Sequence, residues 1–294
     1  MATFSQWVDG ARPRTLPAAL APVFLGTACA YAVEAGHLGR ALLALVVALA
    51  LQVGVNYAND YSDGIRGTDD DRSSGPVRLV GQRLAPARQV KFAAFAAFGV
   101  AALAGLALVA WSGAWWLLLV GAAAVVAAWY YTGGRKPYGY LGLGEIFVFV
   151  FFGLVATLGT TYTQAHVTTL ASWASAVGVG ALSCAILMAN NLRDIPTDGP
   201  AGKKTLAVRL GDRRARAAYI ALVALAFAMC LVAAVQHPGA LLGLAAIPLA
   251  IRPVRDLLRG ISGRALVAVL GATGRLTLVY ALVLGMGIVL VTAW

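Results

Sequence analysis

Long apolar runs are the feature that most constrains how this chain folds. Runs long enough to cross a bilayer as helices, about 17 to 25 residues, lie near 17–34, 41–58, 91–110, 113–131, 143–163, 171–190, 216–235, 238–252 and 272–293. The mean hydropathy is +0.79. Only 12% of the residues are charged, whereas soluble domains carry roughly 25%. We therefore predict an all-α, multi-pass membrane protein with about nine transmembrane helices in one polytopic domain.

The basic residues predict how the chain is oriented in the membrane. Lys and Arg collect in every second loop, within segments 59–91, 132–142, 191–216 and 252–271, while the intervening loops carry only Arg40. Positively charged short loops stay on the cytoplasmic side. We expect a cell inner (cytoplasmic) membrane protein whose N-terminus and basic loops are cytoplasmic.

The net charge of +11 has two competing explanations, nucleic-acid binding and membrane topology. The basic residues lie beside membrane ends rather than on a soluble basic domain, which argues against a nucleic-acid partner. Membrane topology and attraction to anionic headgroups account for most of the charge. The bilayer is the partner that the composition predicts.

Two polar motifs end the second and sixth apolar runs, Asn56 to Asp63 and Asn190 to Asp198. At 3.6 residues per turn, positions 56, 60 and 63 share one helical stripe, as do 190, 194 and, if the turn continues past Pro196, 198. The motifs are four spans apart, so their helices run in the same direction. This pattern predicts a weak parallel internal repeat whose halves face a shared cavity.

The motifs offer clustered carboxylate and amide oxygens, which suit a hard divalent cation such as Mg²⁺, completed by water and substrate phosphates. Carboxylates at the end of an apolar helix are costly unless they are paired, whereas Asp70 and Asp71 fit a solvated loop and Asp69 is intermediate. Caps and turns near Pro196 are the alternative explanation of the second motif. The candidate metal ligands are Asn56, Asp60, Asp63, Asp69, Asn190, Asp194 and Asp198.

Basic side chains near both motifs suit a diphosphate, because Arg binds phosphate oxygens bidentately and Lys acts as a point charge. Each of them also fits a purely topological role. The candidates are Arg78, Arg135, Lys136, Lys203 and Lys204.

Two further side chains complete the candidate binding residues. Glu145 either begins a helix as a dipole-stabilised carboxylate or holds Arg135 or Lys136. Tyr130 or Tyr131 either belongs to the interfacial aromatic belt or stabilises a cation through its ring face.

Other catalytic signatures are absent from the sequence. It has no Walker-type loop, no strand-flanked dinucleotide fingerprint and no Ser or Cys nucleophile with a His partner. A membrane transporter is an alternative of a different class, since intramembrane polar residues and a parallel repeat also suit a substrate pathway. The gathering of the acids on one side of the membrane argues against it.

Several short motifs carry a resemblance to a known family. They are Asn-Asp-Tyr-x-Asp at 59–63, Tyr-Thr-Gly-Gly at 131–134, Gly-Leu-Gly-Glu at 142–145, Asn-Asn-Leu-Arg-Asp-Ile-x-x-Asp at 190–198, Gly-Lys-Lys-Thr-Leu-Ala-Val-Arg-Leu-Gly at 202–211, and the segments 11–17 and 273–276 near the two ends of the sequence. With these motifs, nearly the whole chain resembles the UbiA superfamily of intramembrane prenyltransferases. Within it, the chain is most similar to the branch that prenylates 1,4-dihydroxy-2-naphthoate in the menaquinone pathway.

The resemblance implies nine helices around a central cavity, Mg²⁺ as cofactor, and a polyprenyl diphosphate donor. It implies transfer to 1,4-dihydroxy-2-naphthoate with loss of CO₂, giving a demethylmenaquinone; other acceptors in the superfamily are a hydroxybenzoate, homogentisate or a phosphosugar. Asp60, Asp63, Asp194 and Asp198 would be catalytic. The first motif departs from the common spacing, because Gly67 stands four residues after Asp63 and the next acid is Asp69. Which acid completes that site stays open.

Overall fold

The computed structural model describes residues 2–67 and 77–290, and its regular structure there is helical. Ten helices are numbered in chain order. They are α1 (Phe4–Gly10), α2 (Pro17–Tyr31), α3 (Leu38–Ile65), α4 (Ala87–Ser112), α5 (Leu117–Tyr130), α6 (Gly144–Ala165), α7 (Leu170–Asp198), α8 (Leu206–Ala234), α9 (Ile247–Leu258) and α10 (Leu266–Leu290). Short 3₁₀ segments cover Pro13–Thr15, Tyr138–Leu141, Pro238–Ala246 and Gly263–Ala265.

Six helices in the described ranges are long and apolar enough to cross a membrane, namely α3, α4, α6, α7, α8 and, with the 3₁₀ turn before it, α10. The helices α2 and α5 are apolar but shorter. The expected all-α membrane fold is confirmed, and the count of nine spans stays a prediction.

The apolar run at 238–252 does not form one regular α-helix. Its first part is the 3₁₀ segment Pro238–Ala246, and α9 follows with Pro248 in its first turn. A side chain at Gly287 of α10 would collide with the carbonyl of Gly239. This close approach lets the thin 3₁₀ segment pack directly on α10.

The best-packed part of the bundle surrounds α7, whose apolar window is 78% buried, against 22% for α3. Small residues allow this packing, since a Cβ added at Gly153 of α6 would lie 2.7 Å from the Cα of Gly180 in α7. Close backbone approach through small residues drives helix association in lipid. Buried hydroxyls complete the core, where Tyr280 Oη donates to the Ala226 carbonyl at 2.8 Å.

The two ends of the bundle differ in character. We call the end where α3 and α7 finish the polar end, and the opposite one the far end. At the far end, Arg40 donates to the carbonyls of Thr163 (3.1 Å) and Trp111 (3.0 Å), near the C-termini of α6 and α4. A cation satisfies carbonyls that a helix end leaves unpaired, so Arg40 ties three spans together.

Candidate active site

A cavity of about 820 Å³ opens between the loosely packed helices α3 to α6 and the α2 and α7 side of the bundle. Asp63, Arg78 and Lys203 line it at the polar end, and Thr163 and Leu117 line it near the far end. Its walls are mainly apolar side chains between these limits. The cavity therefore suits a long apolar ligand with a charged head group.

The first motif lies inside α3, because the helix continues beyond the apolar run to Ile65. Asp60 is 1% exposed, and its carboxylate accepts hydrogen bonds from the backbone amides of Leu79 (2.7 Å) and Val80 (3.1 Å). Asp60 does not line the cavity, whereas the neighbouring buried Arg78 does. Asp60 thus anchors to α3 the segment that carries Leu79 and Val80, directly after Arg78.

The two asparagines of the first motif have different contacts. Asn56 donates to the Ala11 carbonyl at 2.8 Å and to Thr15 Oγ1 at 3.2 Å, so it ties the N-terminal segment to α3. Asn59 accepts a hydrogen bond from Thr132 Oγ1 at 2.8 Å. Both line the cavity. Asn59 was not among the predicted candidates, although it stands directly before Asp60.

The second motif is held by an arginine that the sequence interpretation left in a topological role. Arg193 Nε and Nη2 donate to the two carboxylate oxygens of Asp194 at 2.7 and 2.8 Å, and Nη2 also donates to Asn190 Oδ1 at 2.9 Å. Arg193 and Asn190 line the cavity, and Asp194 lies behind them. Helix α7 continues past Pro196 and ends at Asp198. This continuation is the condition under which positions 190, 194 and 198 share one helical stripe.

A tyrosine and a lysine connect the two motifs. Tyr140 Oη donates to Asp63 Oδ1 at 2.9 Å, and Lys203 Nζ lies 5.4 Å from the centre of the Tyr140 ring. The same Nζ lies 3.8 Å from Asp198 Oδ1. These contacts place Asp63 and Asp198 on either side of one tyrosine–lysine pair. Asp63 and Lys203 line the cavity, whereas Tyr140 and Asp198 lie outside its lining.

Backbone hydrogen bonds fix the loop that carries the two predicted lysines. The Lys203 amide donates to the Asp198 carbonyl at 2.8 Å, and the Lys204 amide donates to the Tyr140 carbonyl at 3.0 Å. Lys203 is buried and lines the cavity, whereas Lys204 is exposed and lies outside it. Arg135 and Lys136 are also exposed and outside the cavity lining.

Tyr131 lies where carboxylates from three segments converge. Burial raises the pKa of Tyr131 well above 10, and the nearby carboxylates of Glu145, Asp63 and Asp198 raise that pKa further. The phenol therefore stays neutral at physiological pH. Glu145 lies in the first turn of α6 and accepts a hydrogen bond from Asn191 Nδ2 at 3.1 Å. Asn191 was not predicted, and it lines the cavity with Tyr131.

An aromatic wall continues from Tyr131 along α6. Tyr138 stacks on Phe147 with ring centres 3.9 Å apart, and Phe147 is followed by Phe151 at 6.2 Å. These rings line the cavity, and a π-helical stretch, Phe149–Val155, lies within this part of α6. Aromatic faces suit a planar ring or a carbocation. The wall was not predicted, because Tyr131 and Tyr138 precede α6 and no local repeat connects them with Phe147 and Phe151.

The oxygen donors at the polar end of the cavity determine which metal ion could bind there. In the described parts of the chain, no group of three His, Cys, Asp or Glu side chains is close enough to hold a metal ion. Asp63 and Asp198 still offer carboxylates, and Asn59 and Asn190 offer amide oxygens. Mg²⁺ is usually held by one or two protein carboxylates together with substrate phosphates and water. This donor set therefore fits an ion that binds with a phosphorylated substrate; Asp69 lies outside the described residues.

Sequence comparison gives relatives over nearly the whole chain. Residues 19–264 match the UbiA prenyltransferase family. The chain is 57% identical over 282 residues to the 1,4-dihydroxy-2-naphthoate octaprenyltransferase of Mycobacterium tuberculosis, covering 96% of each chain. It is 39% identical over 217 residues to the Escherichia coli protein of the same name, covering 71% of this chain and 70% of that one.

Solved structures share the fold at low sequence identity. A UbiA homolog from Aeropyrum pernix K1 matches with a TM-score of 0.69 and 17% identity, covering 93% of this chain and 96% of that chain. A UbiA homolog from Archaeoglobus fulgidus, bound to GPP and Mg²⁺, matches with a TM-score of 0.64 and 14% identity, covering 95% and 99%. The expected helical architecture around a cavity is thereby confirmed.

Proposed function

We propose that this chain, which belongs to the UbiA prenyltransferase family, transfers a polyprenyl group from polyprenyl diphosphate to 1,4-dihydroxy-2-naphthoate. The supporting observation is that both Asn/Asp motifs line one apolar cavity. Asp63 of the first motif and Asp198 of the second are also connected through Tyr140 and Lys203. The 57% identity to the Mycobacterium tuberculosis enzyme supports the choice of acceptor.

The diphosphate head belongs at the polar end of the cavity, where three buried cations line the wall. These are Arg78, Arg193 and Lys203. Buried guanidinium and ammonium groups bind phosphate oxygens more strongly than exposed ones, because water does not screen them. The assignment of Arg135, Lys136 and Lys204 as diphosphate ligands stays a prediction.

Asp63 and Asp198, with the amide oxygens of Asn59 and Asn190, are the groups that we assign to Mg²⁺. The bound ion would supply positive charge that neutralises the departing diphosphate. Asp194 supports this site by holding Arg193 at the cavity wall. Asp60 supports it by binding the backbone amide of Leu79, the residue after Arg78. Asn56 orders the N-terminal segment beside it.

The reaction that we propose breaks the allylic C–O bond, and the diphosphate leaves with the electron pair. The electron-rich naphthoate ring attacks the allylic carbon through the carbon that carries its carboxylate. Loss of CO₂ then returns the electrons of that bond to the ring and gives a demethylmenaquinol, the two-electron-reduced form of a demethylmenaquinone. The aromatic wall of Tyr131, Tyr138 and Phe147 supplies π faces beside this reaction, and the apolar cavity keeps water from the cation.

The test is an assay of purified protein with Mg²⁺, octaprenyl diphosphate and one acceptor at a time. We expect diphosphate release and a prenylated product with 1,4-dihydroxy-2-naphthoate. Turnover only with a hydroxybenzoate, homogentisate or a phosphosugar would contradict the assignment of 1,4-dihydroxy-2-naphthoate as the acceptor. No diphosphate release with any acceptor, together with flux into vesicles, would identify a transporter instead.

We also propose that the polar end faces the cytoplasm across the cell inner membrane, because most Lys and Arg residues lie there. The three native cysteines are buried, so a new cysteine can report orientation. A Lys136→Cys variant should react with a membrane-impermeant thiol reagent only in vesicles whose cytoplasmic face is turned outward. A Val167→Cys variant at the far end should react only in vesicles of the opposite orientation. The reverse pattern would show that the polar end faces away from the cytoplasm.

A further inference from the structure

A second cavity, separate in its chemistry from the active site, lies at the polar end between the start of α2, α9 and the first half of α10. Its volume is about 610 Å³. Three arginines line it, Arg14, Arg252 and Arg275, and Asp256 is the acidic residue of its wall among the described residues. We propose that this arginine groove binds the phosphate headgroup of an anionic membrane lipid.

The position of Arg275 is the first reason. It lies nine residues after the start of α10, or about 13 Å along the helix axis at 1.5 Å per residue. Its side chain is exposed. In the described ranges no carboxylate pairs with Arg275, although a charge within a membrane span is costly without a counter-ion. A lipid phosphate at the membrane surface supplies that counter-ion.

The backbone brings Arg14 next to Arg275. A Cβ added at Gly274 would lie 3.3 Å from the Arg14 carbonyl oxygen, so the 3₁₀ turn Pro13–Thr15 packs on α10 one residue before Arg275. Arg252 approaches from α9, and its Nε lies 3.8 Å from Asp256 Oδ2. One carboxylate therefore faces three guanidinium groups, and the groove keeps a net positive charge.

The surroundings favour a lipid as the source of the phosphate. Exposed apolar side chains lie on the same three helices, including Phe24 of α2 (42% exposed), Ile251 of α9 (59%) and Met286 of α10 (52%). Small residues of α10, Ala268, Gly271 and Ala272, complete the groove wall. Arginine stays charged and binds phosphate bidentately, and basic pockets between membrane helices bind lipid headgroups.

The groove also borders the active-site cavity. Arg14 and Val267 line both cavities. A headgroup in the arginine groove would therefore lie against the wall of the active-site cavity. This assignment does not depend on the proposed acceptor or on the chemistry of transfer.

The experiment measures binding of phosphatidylglycerol to the full-length protein in phosphatidylcholine nanodiscs, by native mass spectrometry and by titration. The variants are Arg252→Gln, Arg275→Gln and the double substitution. The control is Arg259→Gln, an exposed arginine that follows α9 outside the groove. We expect each groove variant to weaken binding about fivefold and the double variant about 25-fold, with little change in the control.

Two results would overturn the proposal. One is equal phosphatidylglycerol binding by the double variant and the native chain. The other is binding of inorganic phosphate that phosphatidylglycerol does not displace, which would identify a site for a free anion. If a glutamine variant fails to fold, Arg275→Lys serves in its place, because it keeps the charge and loses bidentate geometry. It should weaken binding less than glutamine does, and unchanged binding in the Lys variant would argue against a phosphate held bidentately.

Discussion

Arg193 holds both carboxylate oxygens of Asp194, at 2.7 and 2.8 Å, and both residues are buried. The carboxylate therefore balances a guanidinium that lines the active-site cavity. In this arrangement Asp194 serves the site by keeping Arg193 in place. The acid of the second motif that lies beside Lys203, and through Lys203 beside the Tyr140 ring, is Asp198.

Removing one member of this pair should destabilise the fold more than removing both. Arg193→Leu removes the guanidinium that binds both oxygens of the buried Asp194 carboxylate, and removing one member of a buried ion pair costs about 3 to 5 kcal/mol. Arg193→Leu with Asp194→Leu removes the buried carboxylate as well, so most of that stability should return. Turnover should stay low in both variants, because each lacks the cavity cation. Thermal unfolding in detergent and diphosphate release measure the two effects, and recovery of turnover in the double variant would exclude Arg193 from the active site.

The contact between Tyr140 and Asp63 should affect activity more than stability. Tyr140→Phe removes the hydroxyl that donates to Asp63 Oδ1 but keeps the ring beside Lys203. A lost hydrogen bond to a charged group costs about 1.5 to 3 kcal/mol, and we expect turnover to fall about tenfold or more with a higher Mg²⁺ requirement. Asp63→Asn should be more severe. An unchanged Mg²⁺ dependence in Tyr140→Phe would separate Tyr140 from the metal site.

Arg78 and Arg135 provide a matched pair for the diphosphate site. Both are loop arginines at the polar end, but Arg78 is buried at the cavity wall and Arg135 is exposed outside it. Arg78→Ala should raise the KM for polyprenyl diphosphate about tenfold or more, since a buried charged contact to phosphate is lost. Arg135→Ala should leave that KM nearly unchanged. Initial rates measured against donor concentration give the KM of each variant. Equal increases in KM for the two variants would contradict the assignment of buried Arg78, and not exposed Arg135, to the diphosphate site.

The sequence allowed much of the fold to be predicted, because long apolar runs and basic loops report membrane spans directly. Its limits appear at the helix ends. Apolarity ended the second and sixth spans at 58 and 190, whereas α3 and α7 continue to Ile65 and Asp198. It was the helical spacing of the motif residues, not hydropathy, that indicated this continuation. Hydropathy falls where polar side chains line a cavity, even though the helix continues.

The site was predicted less completely, because several of its contacts join distant parts of the chain. Tyr140 lies 77 residues from Asp63, and no local pattern links them. Arg193 was obscured by the general excess of loop arginines, although its spacing of three from Asn190 places both on one helix face. The backbone amides that bind Asp60 belong to a loop whose path no periodicity predicts.

The length of the prenyl chain should depend on the far part of the cavity, where Gly159 of α6 lines the wall. A Cβ at Gly159 would meet no atom within 4 Å, so Gly159→Leu adds bulk to the cavity without a backbone clash. We expect kcat/KM for octaprenyl diphosphate to fall about tenfold relative to geranyl diphosphate, since crowding an apolar pocket costs about 1 to 3 kcal/mol. Gly99→Leu is the control, because Gly99 has equally open space but lies outside the cavity lining. Equal losses for the long and short donors in Gly159→Leu would show that the tail does not extend along this part of the cavity.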